Sequence, residues 1–205
     1  MRLETVQEEE GIGLEPLIFA IAGLISGFAC WWLMKGSHFP AFLIFENIPT
    51  GVQRATINMW PAVIFATLLA VAFFLSGSAG ALNPNPVIWV GAYIGTIMLY
   101  FLVLWLLTFG YLSQLFRLTH ELFWLNLALS GMFGAAVLSF FAGTLIGKAN
   151  GPIMIAMIVC GGLSGLTVVG FMGPVGQFML FPWWHFSQAT LIGFWVSSAM
   201  GEEEE

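Results

Sequence analysis

The stretch Ser76 to Val87, S-G-S-A-G-A-L-N-P-N-P-V, lies inside a long run of sequence without a charged side chain. It puts turn chemistry where the surrounding residues ask for a bilayer. Two Asn-Pro pairs in tandem, Asn83-Pro84 and Asn85-Pro86, end any helix arriving from Ala62 to Leu75, because proline has no amide donor and restricts the residue before it. The same pairs open helices well. Asn as N-cap and Pro at the first helical position suit a new helix starting at Pro84 or Pro86 and running into Val87 to Trp89. A helix start at bilayer depth is tolerated only where protein or a water-filled cavity satisfies the freed backbone groups.

Of 205 residues, 59% are hydrophobic and 8% charged, and the mean hydropathy is +0.92. This is the composition of an all-α polytopic membrane protein, read as a single membrane domain over residues 1–205. Every acid is a glutamate, and Glu8 to Glu10 and Glu202 to Glu205 lie in two acidic tails, residues 1–14 and 202–205, so the net charge of -6 says little about the membrane body. A nucleic-acid role has no basic patch to rest on. Cys30 and Cys160 sit in apolar segments and read as small buried hydrophobes. The N-terminus, with Arg2 and four glutamates before Gly11, lacks the pattern of a signal or transit peptide, so the first apolar segment reads as a retained span.

A crossing helix needs about 20 apolar residues. That length predicts six spans, near residues 16–34, 59–77, 92–112, 121–146, 152–170 and 184–200, with Phe39 to Ile48 lying on the membrane or packed under a loop. No charge occurs from Ala55 to Phe116 or from Ala149 to Gly201, and each block is longer than two spans require. The surplus of the first holds the Asn-Pro stretch. That of the second holds Gly170 to Gln177, G-F-M-G-P-V-G-Q. The spans divide three and three: each half enters through a glutamate (Glu15, Glu121) and carries an X-Pro-Val break (Asn85-Pro86-Val87, Gly173-Pro174-Val175) before its last span. An odd number of spans per half makes the halves inverted copies, covering about 15–112 and 119–201, with two re-entrant half-helices meeting near the midplane. The basic residues divide too evenly between the two sides to set an orientation.

Few residues carry chemistry. Glu15 and Glu121 stand at helix starts, where the dipole favours an acid, and the sharper reading has each carboxylate accept hydrogen bonds from the adjacent broken loop. His38, His120 and His185 have no metal-ligand spacing, so neither a metal site nor a cofactor is expected. Trp183 and Trp184 read as interfacial anchors. No catalytic motif can be assembled, although an enzyme or proton-coupled carrier using Glu121 and His120 is a third reading. Gly131, Gly134, Gly161, Gly162 and Gly165 fit close helix packing.

In these features the chain resembles the aquaporin, or major intrinsic protein, family. Glu15 before the first span and S-G-S-A-G-A-L-N-P-N are similar to the first half of that family. Glu121, then G-P-I-M-I-A-M-I-V at Gly151 to Val159, then Gly173-Pro174-Val175 and a Trp-rich last span are similar to the second. The resemblance implies six spans plus two half-helices and a passive channel for water or a small neutral solute. It places Asn83, Pro84 and Asn85, and Gly173, Pro174, Val175, Gly176 and Gln177, along the pore, with Glu15 and Glu121 supporting the loops. Gly173 then stands where the family has its second asparagine, and Gly176 where it has its selectivity arginine. Those departures leave the alternative of a non-conducting accessory subunit of a larger membrane complex, its acidic tails docking on basic partners. Either reading implies lipid contact and a homo-oligomer or larger complex.

Overall fold

The computed structural model describes residues 13–36, 43–46, 54–57, 60–83, 85–108, 123–170 and 174–201. Among the described residues it is all-helical apart from one hairpin. In chain order the elements are α1 (Glu15–Gly36), β1 (Leu43–Glu46), β2 (Arg54–Ile57), α2 (Trp60–Leu75), α3 (Ser78–Leu82), α4 (Pro86–Thr108), α5 (Phe123–Ile146), α6 (Gly151–Gly170) and α7 (Pro174–Gly201). Among the described residues, helices α2 to α7 contain no charged side chain. Among the described residues, Glu15–Leu33 and Leu127–Ile146 are long and apolar enough to cross a membrane, and Trp60–Leu75, Pro86–Tyr100 and Gly151–Leu166 are shorter apolar helices.

The chain turns that join the helices are built from side chains suited to the work. At the end of α2, the hydroxyls of Ser76 and Ser78 both donate to the Phe73 carbonyl, at 3.0 and 3.1 Å. They satisfy an acceptor that the helix end would otherwise leave unpaired. Gly77 follows in the left-handed region, with φ 72°. The backbone N–H of Asn85 then donates to Asn83 Oδ1 at 3.1 Å, and that of Val87 to Asn85 Oδ1 at 3.0 Å. Asn85 is thus the N-cap of α4 and Pro86 its first residue, one of the two starts expected from the sequence. Asn150 caps α6 in the same way, accepting from the backbone of Ile153 at 3.2 Å.

The long helices pack as a ring in sequence order: α1 on α2, α2 on α4, α4 on α5, α5 on α6, α6 on α7, and α7 back on α1. Neighbours run antiparallel. Gly193 of α7 faces Pro16 and Phe19 near the start of α1, while Gly27, further along α1, faces Pro182 nearer the start of α7. The α1–α7 contact is the most extensive, followed by α5 on α6. Glycine makes both close. A Cβ on Gly27 would lie 2.3 Å from the Pro182 Cα, and one on Gly161 would lie 2.4 Å from the Gly131 carbonyl oxygen. The core between the helices holds Phe19, Phe73, Leu138, Met157, Ile192 and Trp195.

Three expectations change. The helix that starts at Pro86 does not stop as a half-helix but continues to Thr108, and α7 runs unbroken for 28 residues from Pro174, with Pro182 inside it. Each supposed half-helix is the first part of a long helix. The reason is that capping chemistry specifies where a helix begins and says nothing of how far it continues. The two breaks also lie at opposite ends of the bundle. The short α3 beside Asn83 packs on α7 and lies near Gly147 at the end of α5, whereas Pro174 opens α7 at the other end. A helix of α7's length is on the order of 40 Å long. Finally, part of Phe39 to Ile48 is strand β1, paired antiparallel with β2 in the register Leu43↔Ile57 to Glu46↔Arg54.

Candidate functional site

Apolar helices packed in a ring leave their few polar side chains facing inward. Ser26, Ser130, Ser164, His185 and Gln188 are all buried. Some buried hydroxyls bond within their own helix: Thr96 donates to the Ala92 carbonyl at 2.8 Å and Ser164 to that of Cys160 at 2.7 Å. His185 and Gln188 reach other helices. Nδ1 of His185 lies 2.9 Å from Ser26 Oγ, and Gln188 Nε2 donates to the Met157 carbonyl at 3.0 Å. The other end of that amide, Gln188 Oε1, is buried without a hydrogen-bond partner.

His185 stands near the middle of the bundle, opposite Ser26 halfway along α1. Phe65 lies over its ring at a centroid distance of 4.5 Å, with Trp184 at 5.6 Å and Phe181 at 5.9 Å. Beside it is a partly open cavity of about 130 Å³. Helices α2, α4 and α7 give this cavity an aromatic wall of Phe65, Tyr100, Phe181 and Trp184, while α5 and α6 contribute Gly131, Gly134 and Gly165. The polar lining is Thr96, Ser130, Tyr100 and His185. With Nδ1 taken by Ser26, Nε2 of His185 meets no hydrogen-bond partner among the described residues.

The residues singled out in the sequence do not gather here. Asn83 and Asn85 form the turn before α4, where the Asn83 carbonyl also accepts from Trp89 Nε1 at 2.7 Å. Pro84, Gly173 and Glu121 lie outside the described residues, as does His120. Pro174, Val175, Gly176 and Gln177 form the backbone of the first turn of α7, and their side chains are likewise outside the described residues. Glu15 is in the first turn of α1, folded back against Gly13. Among the described residues it has no hydrogen bond to the Asn83–Asn85 turn. Trp184 lines the cavity and packs edge-on against Phe65 at 5.5 Å, so it is an interior residue and not an anchor at the membrane surface. Trp183, its neighbour, is exposed.

The glycines behave in two ways. Gly131, Gly161 and Gly165 bring α5 and α6 into backbone contact, as expected for small residues between apolar helices. Gly134 instead faces space: a Cβ there would meet nothing closer than Val103 Cγ2 at 3.4 Å and Trp184 Cζ2 at 3.7 Å. Sequence reasoning passed over Ser26, Tyr100 and the special place of Gly134. The available signal was His185 itself, the ionisable side chain within an uncharged block, which is a functional candidate by default at membrane depth. Among the described residues no group of three or more His, Cys, Asp or Glu could hold a metal ion. No protein-family model matches the chain, and no curated protein or solved structure matches it.

Proposed function

We propose that this chain is a multi-pass integral membrane protein that serves as a non-conducting accessory subunit of a larger membrane complex. The observation carrying this reading is the placement of the two proline-led helix starts, Pro86 and Pro174, each of which opens a long helix at an opposite end of the bundle. A pore of aquaporin-like form needs two helix N-termini facing each other at mid-depth, where their dipoles act on the solute. In their stead, the middle of this bundle holds Phe65, Trp184 and His185 around an apolar cavity.

The outer surface supports the membrane part of the proposal. Large apolar side chains are exposed along the helices at helical spacing, among them Leu17, Ile21, Leu24 and Phe28 of α1 and Val87, Val90 and Ile94 of α4. A surface so apolar is suited to lipid or to partner helices. The acidic tails, Glu8 to Glu10 and Glu202 to Glu205, add negative charge suited to basic partner segments.

An aquaporin-like channel for water or a small neutral solute is the second reading, favoured by the closed ring of helices around a central cavity. Reconstitution separates the two. On the accessory-subunit reading, liposomes containing the protein shrink in an osmotic jump no faster than empty ones, and extraction in mild detergent brings other membrane chains with it. Faster shrinkage that changes with Asn83→Asp overturns this reading and restores the channel, and recovery of a lone protein or homo-oligomer counts against the complex.

A further inference from the structure

We infer that the mid-bundle cavity is a binding site for a single hydroxylated aromatic ring, held by a hydrogen bond to Nε2 of His185. The size argues for one ring. The space is about 130 Å³, close to the cavity of about 150 Å³ that binds benzene in an apolar protein core. Its walls argue for a flat one. Phe65, Phe181, Trp184 and Tyr100 offer aromatic faces and edges, which favour another aromatic ring in stacked or edge-on geometry. On the α5–α6 wall, Gly131, Gly134 and Gly165 leave space between the side chains of Leu127, Ser130 and Leu138.

The polar handle argues for a hydroxyl. His185 is 1% exposed and shares one hydrogen between its Nδ1 and Ser26 Oγ, at 2.9 Å. If the serine donates, Nε2 carries the ring proton and is a donor; if the ring donates, Nε2 is an acceptor. A ligand hydroxyl can donate or accept, so it satisfies Nε2 in either tautomer, which a carbonyl or an ether cannot. A ring nitrogen left unpaired beside an apolar cavity is costly. The ligand hydroxyl relieves that cost, and this favours a phenol over the bare hydrocarbon. The inference is independent of whether the bundle conducts.

The test compares phenol with benzene, binding to the purified protein in lipid nanodiscs. Gly134→Val is the blank for partition into lipid, because its side chain occupies the cavity from a position with room for a Cβ. Phenol is expected to bind about tenfold more tightly than benzene, the factor that one net hydrogen bond supplies. His185→Leu is expected to bind both alike, and Gly134→Val neither. Gly134→Ala, which adds a single carbon at 3.4 Å from Val103 Cγ2, is expected to weaken both ligands while the protein stays folded. Equal affinity of the wild type for the two probes, a phenol preference that survives His185→Leu, binding unchanged by Gly134→Val, or no binding of either probe overturns the inference.

Discussion

Ser26 Oγ lies 2.9 Å from Nδ1 of His185, linking the middle of α1 to α7 across 159 positions of sequence. The bond sits between two close approaches of the same helices. A Cβ on Gly23 would lie 2.5 Å from the His185 carbonyl oxygen, and Gly27 meets the backbone of Pro182. Helices that are apolar all round have little to fix their rotation about each other, so small residues and an occasional polar contact set the register.

Ser26→Ala leaves a buried imidazole nitrogen without a partner. The expected loss of stability is about 1–2 kcal/mol, read by denaturant or thermal unfolding of the detergent-solubilised protein. His185→Phe in the Ser26→Ala background should cost less than the sum of the single changes, since the two share one interaction. Strict additivity would show that the bond contributes nothing.

Gly27→Ala and Gly91→Ala should move stability in opposite directions. The first puts a methyl group 2.3 Å from the Pro182 Cα, where neither backbone can yield unless α1 and α7 separate, while the second meets nothing within 4 Å. Roughly 1–3 kcal/mol should be lost at Gly27. Up to about 1 kcal/mol should be gained at Gly91, from the better helix propensity of alanine. Unfolding midpoints of the two variants, compared with the parent, check both signs.

Asn85→Ala removes the acceptor for the Val87 amide, 3.0 Å away, and should cost about 1 kcal/mol. Asn85→Ser and Asn85→Asp should retain most of the cap. If all three variants unfold together at the parent's midpoint, capping by this side chain is not what starts α4.

Much of the helical layout is legible in residue order. The expected spans near 16–34, 59–77, 121–146 and 152–170 match α1, α2, α5 and α6 closely, because an uncharged apolar run of crossing length leaves one dominant period and few places to stop. Asn85-Pro86 reads correctly as the start of α4, since capping is a matter of adjacent atoms. The spans expected at 92–112 and 184–200 begin too late for the same cause. The surplus residues before them were assigned to separate half-helices, yet α4 and α7 simply start earlier and continue. The hairpin was missed because strands of four residues give too short a window for alternation to register.

The sequence by itself determined that this is a chain of apolar helices, and it marked the turn residues that open and close them, all through contacts within a few positions. Only the tertiary structure decided that the helices close into a ring, that Gly131 and Gly161 are a seam while Gly134 borders a cavity, and that His185 faces Ser26. Those outcomes depend on which helix faces are neighbours. That is set by the summed packing of residues far apart in the chain, and an apolar helix with no polar face carries almost no local mark of which side will be inside.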